Sequence, residues 1–564
     1  MTAQPETLIG HIVDVQGSAL TATLLEDDQG HVPVVTIGDE DVVVGQIGSY
    51  VVVRQGKARI LALLSRMSEQ EKLAPLAPGE RGDDQMRVSY AQRTVRLVPL
   101  GSLNADGQFE RGVSTYPTTG AEVHAVATAD LDTMFARFRA KGYDVGVLSS
   151  HPSLAVHLDP SALFARHFTI LGQTGSGKSW TVASLVQRAV AGMPRAHIII
   201  LDLHGEYCWT AKDGTRRSAF AEAAFRSVDA RELEIPYWLM TFSELSDLLI
   251  DHTEREASNQ IAFFRDTLLE LRQADKSALG LDRVTVDTPV HFLLDALLER
   301  VREKNGERVT GQQGREKQGP MFGQFDRFIM RLESKLNDAR YDFLLKPKAR
   351  NSSASLEGLL RDFVGLGDPK RAITVIDLSS VPFDVRPTVT AQIGRLAFEF
   401  NYWNPDFRDF PILLVCEEAH AYIPRATASA FSGARKSMER IAKEGRKYGV
   451  GLGVVSQRPN ELSETVLSQC GTFVCLRITN PDDQSYVRSL VPEAERELVD
   501  ILASLGRGEA MVLGEGVPLP TRLRVHIPNP TPSSDDVDFY KKWTNGPADL
   551  DVDAIVNRWR RQER

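Results

Sequence analysis

The sequence predicts an α/β protein in which an N-terminal β-barrel precedes a parallel sheet flanked by helices, with a helical insertion in the second part. Three observations predict it. Short Val- and Ile-rich runs broken by Gly or Asp fill residues 1 to about 66, the pattern of a small antiparallel barrel or sandwich. From His151 onward the runs HFTILG, HIIILDLHG, RAITVIDLS, FPILLVCEE, GVGLGVVSQ and GTFVCLRI are continuously apolar between turns, which suits strands buried on both faces. Helical patterns alternate with several of these runs, as in layered α/β architectures.

Taken in order, LIGHIVDVQG, ALTATLLED, VPVVTIG, VVVGQIGSYVVVRQG and ARILALLSRM are the first barrel strands. A second β-prone stretch, TVRLVPLGSL, GVSTYP and AEVHAVA, leads to the helix-like DLDTMFARFRAKG, so the barrel domain is assigned residues 1–150. The α/β core is assigned 151–525, and within it helix dominates from about 210 to 370. There FSELSDLLIDHTEREASNQIAFFRDTLLELRQADK and PVHFLLDALLERVREK carry apolar residues at helical spacing with charged opposite faces. Inside that insertion, residues 304–320 read as a flexible, net-basic loop, either a solvated surface or a segment meeting DNA. The Pro/Ser-rich IPNPTPSSDD opens a C-terminal linker and tail, 526–564, whose aromatic and Arg residues suit docking on a neighbour.

The chemistry is concentrated in the core. Gly172-Gln173-Thr174-Gly175-Ser176-Gly177-Lys178-Ser179 matches G-x-x-x-x-G-K-[ST] in full, after a strand candidate and before a helix candidate that opens at Trp180. Glycines at these places let the backbone fold round phosphates and present N–H groups at a helix N-terminus. Lys178 would neutralise the β- and γ-phosphates, the Ser179 hydroxyl would bind Mg²⁺, and Trp180 joins the nucleotide set. Against the structural alternative, a Gly-rich turn, a chance match of this whole pattern between a strand and a helix is improbable. ATP and Mg²⁺ are the expected ligands.

A P-loop needs acids at the end of another strand, and PILLVCEEAH supplies Glu417 and Glu418. In such sites the first acid supports Mg²⁺ and the second polarises the attacking water. Glu417 stands where Asp is usual. Gln457, directly after the GVGLGVVS run, is placed to sense the γ-phosphate; its bland reading is a turn residue before Pro459. The basic helix RKSMERIAKEGRKYG brings Arg440, Lys443, Arg446 and Lys447, any of which is either a solvated cation or a group entering a neighbour's ATP site. Asp202, His204 and Glu206 in LDLHGEY invite a metal site, but two ligands without a third are a weak signal, and a hydrogen-bonded turn is preferred.

Bulk properties set outer limits. At 564 residues, with 42% hydrophobic and 25% charged, the chain reads as an ordinary globular protein of roughly three domains. No apolar stretch reaches the ~18 residues of a membrane span, and the first residues lack a secretory pattern, so a cytoplasmic location is expected. The four cysteines form no CxxC pair or zinc spacing and read as buried small hydrophobes. A net charge of −9 argues against a wholly basic surface, yet a ring-shaped motor needs positive charge only along its channel.

Together GQTGSGKS, LDLHGEY, LLVCEEAHAYIP, ERIAKEGRKYGVGLGVVSQRP and LSQCGTFVCLRI, in this order, resemble the HerA helicase/translocase family of the HerA–FtsK group of P-loop motors. LIGHIVDV and ERGVSTYPTTGAEVHA look like that family's barrel domain; the insertion and tail match only in general character. The resemblance implies a RecA-like P-loop ATPase core and a homohexamer with ATP sites between subunits and double-stranded or forked DNA in a central channel. It implies Lys178 and Glu418 as ATPase residues and an Arg acting in trans, with Arg166, Arg440 and Arg446 the candidates. Relatives work with a separate NurA-like nuclease in DNA end processing, or resemble the motor half of anti-phage pairs with a sirtuin-like effector. Such a partner is expected to dock on the barrel. The alternative is an ATPase ring that chiefly assembles and regulates an effector; a secretion or conjugation motor is less favoured.

Overall fold

The computed structural model describes residues 7–16, 19–26, 35–37, 40–42, 45–73, 89–104, 109–211, 213–274, 277, 279–310, 315–426, 432–534, 537–547 and 549–561. They fall into two compact units, one of residues 1–194, 418–420 and 451–536, the other of residues 195–417, 421–450 and 537–564.

The first unit opens with a barrel. Its strands are β1 (Leu8–Gln16), β2 (Ala19–Leu24), β3 (Tyr50–Gln55), β4 (Ala58–Leu73), β5 (Ser89–Leu103) and β6 (Glu122–Ala125). They run in the order β2-β1-β6-β3-β4-β5, and β2 pairs again with β5, which closes the sheet. Leu20, Ala22 and Leu24, then Ile60, Ala62 and Leu64, pack together in the barrel core, and Leu61 and Leu63 between them are buried as well. A closed sheet leaves no hydrogen-bonding edge among these strands. The GVSTYP segment, read as β-prone, forms no strand; Pro117 brings no N–H to a ladder. Of VPVVTIG only Val35–Ile37 is a strand, and 32–34 and 38 lie outside the described residues.

Further along this unit run β7 (Asp144–Leu148), β8 (Ala155–His157) and β9 (Phe168–Leu171). In the other unit lie β10 (Ile198–Asp202), β11 (Phe225–Asp229), β12 (Ile373–Asp377) and β13 (Ile412–Cys416). Then come β14 (Val450–Ser456), β15 (Thr472–Cys475), β16 (Glu509–Gly514) and β17 (Thr521–Val525). In the first unit the order is β8-β7-β17-β16-β15-β9-β14, with β9 parallel to both β15 and β14. In the second it is β13-β10-β12-β11, all parallel. The six apolar runs of the sequence are β9, β10, β12, β13, β14 and β15, and nearly every residue in them is buried. The α/β reading and its N-terminal barrel therefore hold.

Side chains fasten the barrel to the C-terminal segments of its own unit. Tyr50 Oη donates to the Pro520 carbonyl at 2.7 Å, Arg96 Nε donates to Glu497 at 2.7 Å, and Arg522 donates to the Ile47 carbonyl at 3.0 Å. Tyr50 is buried, and that burial pushes its phenol well above the ordinary range.

The insertion is helical over Phe242–Leu249, Ala257–Ala274, Leu294–Asn305, Asp326–Leu336 and Leu356–Phe363. Thr241 and Glu244 cap the first of these reciprocally. Two segments depart from the sequence reading. Phe225–Asp229 is β11, an edge strand of the parallel sheet; its FRSVD sequence is half-polar, as an edge with one unpaired side allows. In the 304–320 segment, Arg308–Thr310 pairs antiparallel with Glu316–Gln318, so the flanks form a ribbon rather than a loop, while 311–314 lie outside the described residues. The tail forms helices Phe539–Asn545 and Val552–Arg561 with no buried residue, and 535–536 of the connector lie outside the described residues. No helix among the described residues is long and apolar enough to cross a membrane.

Candidate nucleotide site

The P-loop connects β9 to the helix α1 (Lys178–Gly192). Gly172 leaves the strand with its N–H on the Ser456 carbonyl at 3.2 Å, and a Cβ there would meet Ser176 Oγ at 2.6 Å and Leu476 at 2.8 Å. Gln173 is the hub of the loop. Its carbonyl accepts from Ser176 Oγ at 2.6 Å and Lys178 Nζ at 3.3 Å, and its Oε1 accepts from Thr479 Oγ1 at 2.6 Å. Gly177, the residue before the helix, adopts φ +106°, a region that side-chain-bearing residues rarely enter. No side chain caps the helix behind it. The first N–H groups of a helix have no intrahelical partner, so this end offers donors and positive dipole to an anion. Gly175 and Thr174 are exposed, Ser179 and Trp180 half-buried, and Lys178 is buried along its stem.

The same unit brings further polar groups to the loop. Thr174 Oγ1 donates to Gln457 Oε1 at 2.5 Å, so Gln457 follows its strand into direct contact with the P-loop. Glu418 has φ +46°, a left-handed conformation that costs a Glu about 1–2 kcal/mol. Its carboxylate lies 3.2 Å from His420 Nδ1, and Ser456 Oγ lies 3.3 Å from the same nitrogen. Strain held at a water-polarising candidate marks a position fixed by its surroundings. Arg507 lays its guanidinium 5.5 Å from the centre of the Trp180 ring. Arg166 forms an exposed ion pair with Glu515.

In the second unit Glu417 closes β13, buried, and Tyr207 Oη donates to its Oε1. Burial and the Glu417 charge together hold the Tyr207 phenol far above its ordinary range, so it remains a donor. Asp202, at the end of β10, accepts from the N–H groups of His204, Gly205 and Glu206 on one oxygen and of Tyr207 on the other, at 2.8–3.3 Å. Burial pushes its carboxyl up to about 6 against the pull of those donors. The DLHGEY segment is thus a carboxylate-organised turn that delivers Tyr207 to Glu417. His204 is exposed, and no group of three metal-binding side chains occurs among the described residues.

The basic helix is α3 once α2 (Arg386–Trp403) is counted, and it spans Ser432–Glu444. Arg440 stacks over Phe398 at 4.2 Å and Tyr402 at 5.6 Å on α2. Lys443 faces Glu439 at 3.9 Å. Arg446, in the turn that follows, is exposed with no ion pair among the described residues. Tyr207, His420 and Arg507 were not singled out from sequence. The first two stand inside quoted motifs, where an aromatic hydroxyl or imidazole near an acid is a readable signal; Arg507, between two glycines, gives none.

Compared with known proteins, residues 143–397 match the family described as helicase HerA, central domain, and residues 407–531 match the helicase HerA-like C-terminal family. The chain is 27% identical over 484 residues to the DNA double-strand break repair helicase HerA of Pyrococcus furiosus, covering 82% of each chain. It is 27% identical over 528 residues to the protein of that name from Sulfolobus acidocaldarius, covering 91% of this chain and 95% of that one. Among solved structures, the plasmid coupling protein TrwB with a non-hydrolysable GTP analogue aligns at TM-score 0.44 and 14% identity, over 71% of this chain and 93% of that one. VirB4 of Thermoanaerobacter pseudethanolicus aligns at TM-score 0.41 and 18% identity, over 70% and 96%.

Proposed function

The chain belongs to the HerA helicase family, and from that premise we propose a hexameric ATP-driven DNA translocase that feeds DNA to a separate effector. That it is an ATP-hydrolysing P-loop enzyme of the helicase type follows from the family. The observation that carries the site is the uncapped, glycine-entered end of α1 with Gln457 bonded to the loop and Glu418 held beside His420.

The residues fit ATP and Mg²⁺. The loop and helix end provide N–H donors, Lys178 a cation, and Ser179 a hydroxyl in the first helical turn; Ser179 and Glu417 are assigned to the metal. Bound Mg²⁺ would neutralise charge developing on the transferred phosphoryl group. Glu418 orients and deprotonates the attacking water, and His420 fixes the direction of its carboxylate. Gln457 senses the γ-phosphate through Thr174. A trans-acting Arg completes the charge neutralisation, and Arg446 suits the role better than Arg440, whose guanidinium is engaged on Phe398, or Arg166, which is paired with Glu515.

Double-stranded or forked DNA is the proposed polymer, supported by the names of the relatives. A NurA-like nuclease or a sirtuin-like or other defence effector, seated on the barrel, is the proposed partner, in DNA end processing or anti-phage defence. The test is ATP turnover with and without duplex DNA, alongside the mass in solution. A DNA-stimulated hexamer, silenced by Lys178→Ala and Glu418→Gln, is expected. Full hydrolysis by Glu418→Gln would falsify its assignment, and a DNA-indifferent monomer would refute the translocase.

A further inference from the structure

We infer that Arg507, backed by Trp180, is the platform on which the nucleobase of the bound nucleotide stacks; this rests on the nucleotide site proposed above. The P-loop has two flanks. On one, Gln457 is bonded to Thr174, the side assigned to the γ-phosphate. On the other, the Gly508 N–H donates to the Ser176 carbonyl at 3.1 Å, and Gly508 N lies 3.5 Å from where a Cβ on Gly177 would sit. The segment carrying Arg507 is therefore locked to the second half of the loop.

Lys178 and Ser179 serve the β- and γ-phosphates and the metal. The α-phosphate, which bears the nucleoside, consequently faces the flank away from Gln457, where Trp180 follows in the same helical turn. There the Arg507 guanidinium lies 5.5 Å from the Trp180 ring centre, looser than the 4.2 Å of Arg440 over Phe398. Trp180 is half-buried and Arg507 exposed. The Trp180 indole N–H is buried without a hydrogen-bond partner among the described residues, a donor left at the nucleoside side of the site. A planar cation beside an indole offers a surface that takes any aromatic base. Stacking reads no hydrogen-bond pattern, so the platform does not discriminate adenine from guanine.

Calorimetric titration of the full-length protein with Mg²⁺ plus a non-hydrolysable ATP analogue, and separately with inorganic tripolyphosphate, tests this. Arg507→Ala and Arg507→Lys are expected to weaken the ATP analogue about tenfold and to leave tripolyphosphate unchanged, with melting curves like the parent's. Unchanged analogue binding in Arg507→Ala overturns the inference. So does an equal loss for tripolyphosphate, which would make Arg507 a phosphate ligand, or full recovery by Arg507→Lys, which would make it a bare charge. Failure of the parent protein to bind either ligand would instead sink the nucleotide site itself.

Discussion

Replacing Tyr207 by Phe removes one hydroxyl and tests how Glu417 is held. Tyr207 is fully buried and Glu417 nearly so, and the phenol donates directly to Glu417 Oε1. The ring stays on Phe220, stacked at 5.8 Å with an 11° tilt, so no sizeable cavity opens. The loss is a hydrogen bond to a buried carboxylate, worth about 1.5–3 kcal/mol. A domain of this size loses roughly 2–4 °C per kcal/mol, so the apparent Tm should drop by about 5 °C. If Glu417 also supports the metal, the Mg²⁺ concentration for half-maximal ATP turnover should rise about tenfold, a 1.4 kcal/mol effect. The assays are a thermal melt without nucleotide and a Mg²⁺ titration of turnover, each repeated in Glu417→Ala and the double variant. Additive losses in that cycle would mean the two side chains do not interact. A lower Tm with an unchanged Mg²⁺ curve would leave the hydrogen bond but refute the metal assignment.

Gly177→Ala should cost about 1–2 kcal/mol for its left-handed φ of +106° and abolish ATP-analogue binding in a titration. Arg446→Ala should leave the melt unchanged and lower DNA-stimulated turnover by about 10³-fold if it acts in trans, whereas Arg440→Ala should lower stability by about 0.5–1 kcal/mol through the lost stack on Phe398. Full turnover in Arg446→Ala would remove it as the trans group. Burial holds the His124 imidazole below its ordinary 6.5, against the pull of Glu122. The unfolded chain therefore takes up this proton first as pH falls, so the stability it contributes is present above about 6.5 and lost below it. His124→Gln should flatten that part of a pH series of denaturation midpoints, and an unaltered slope would exclude the histidine.

The parallel strands were legible because a strand buried on both faces must be apolar along its whole length, and six such runs stand out by eye. The insertion's edge strand at Phe225–Asp229 was not, because one unpaired side permits Arg226 and Ser227. The 304–320 segment misled for a related reason: Gly and Lys mark a loop, yet Val309 and Thr310 pair with the returning strand across a ribbon whose strands are three residues each.

The sequence by itself determined the P-loop, since Gly172 to Ser179 fold through their own short-range sterics and hydrogen bonds. It also located the acid pair and the polar residue after β14, because strand ends are marked by where apolar runs stop. Only the tertiary structure decided which groups those residues meet. Tyr207 on Glu417, Arg507 near Trp180 and Arg440 on Phe398 are side-chain encounters that no local pattern in the sequence announces. All three join residues far apart in the chain. Which of several equivalent cations is engaged and which is left exposed depends on how separate elements pack, and the linear order of residues does not encode that distance.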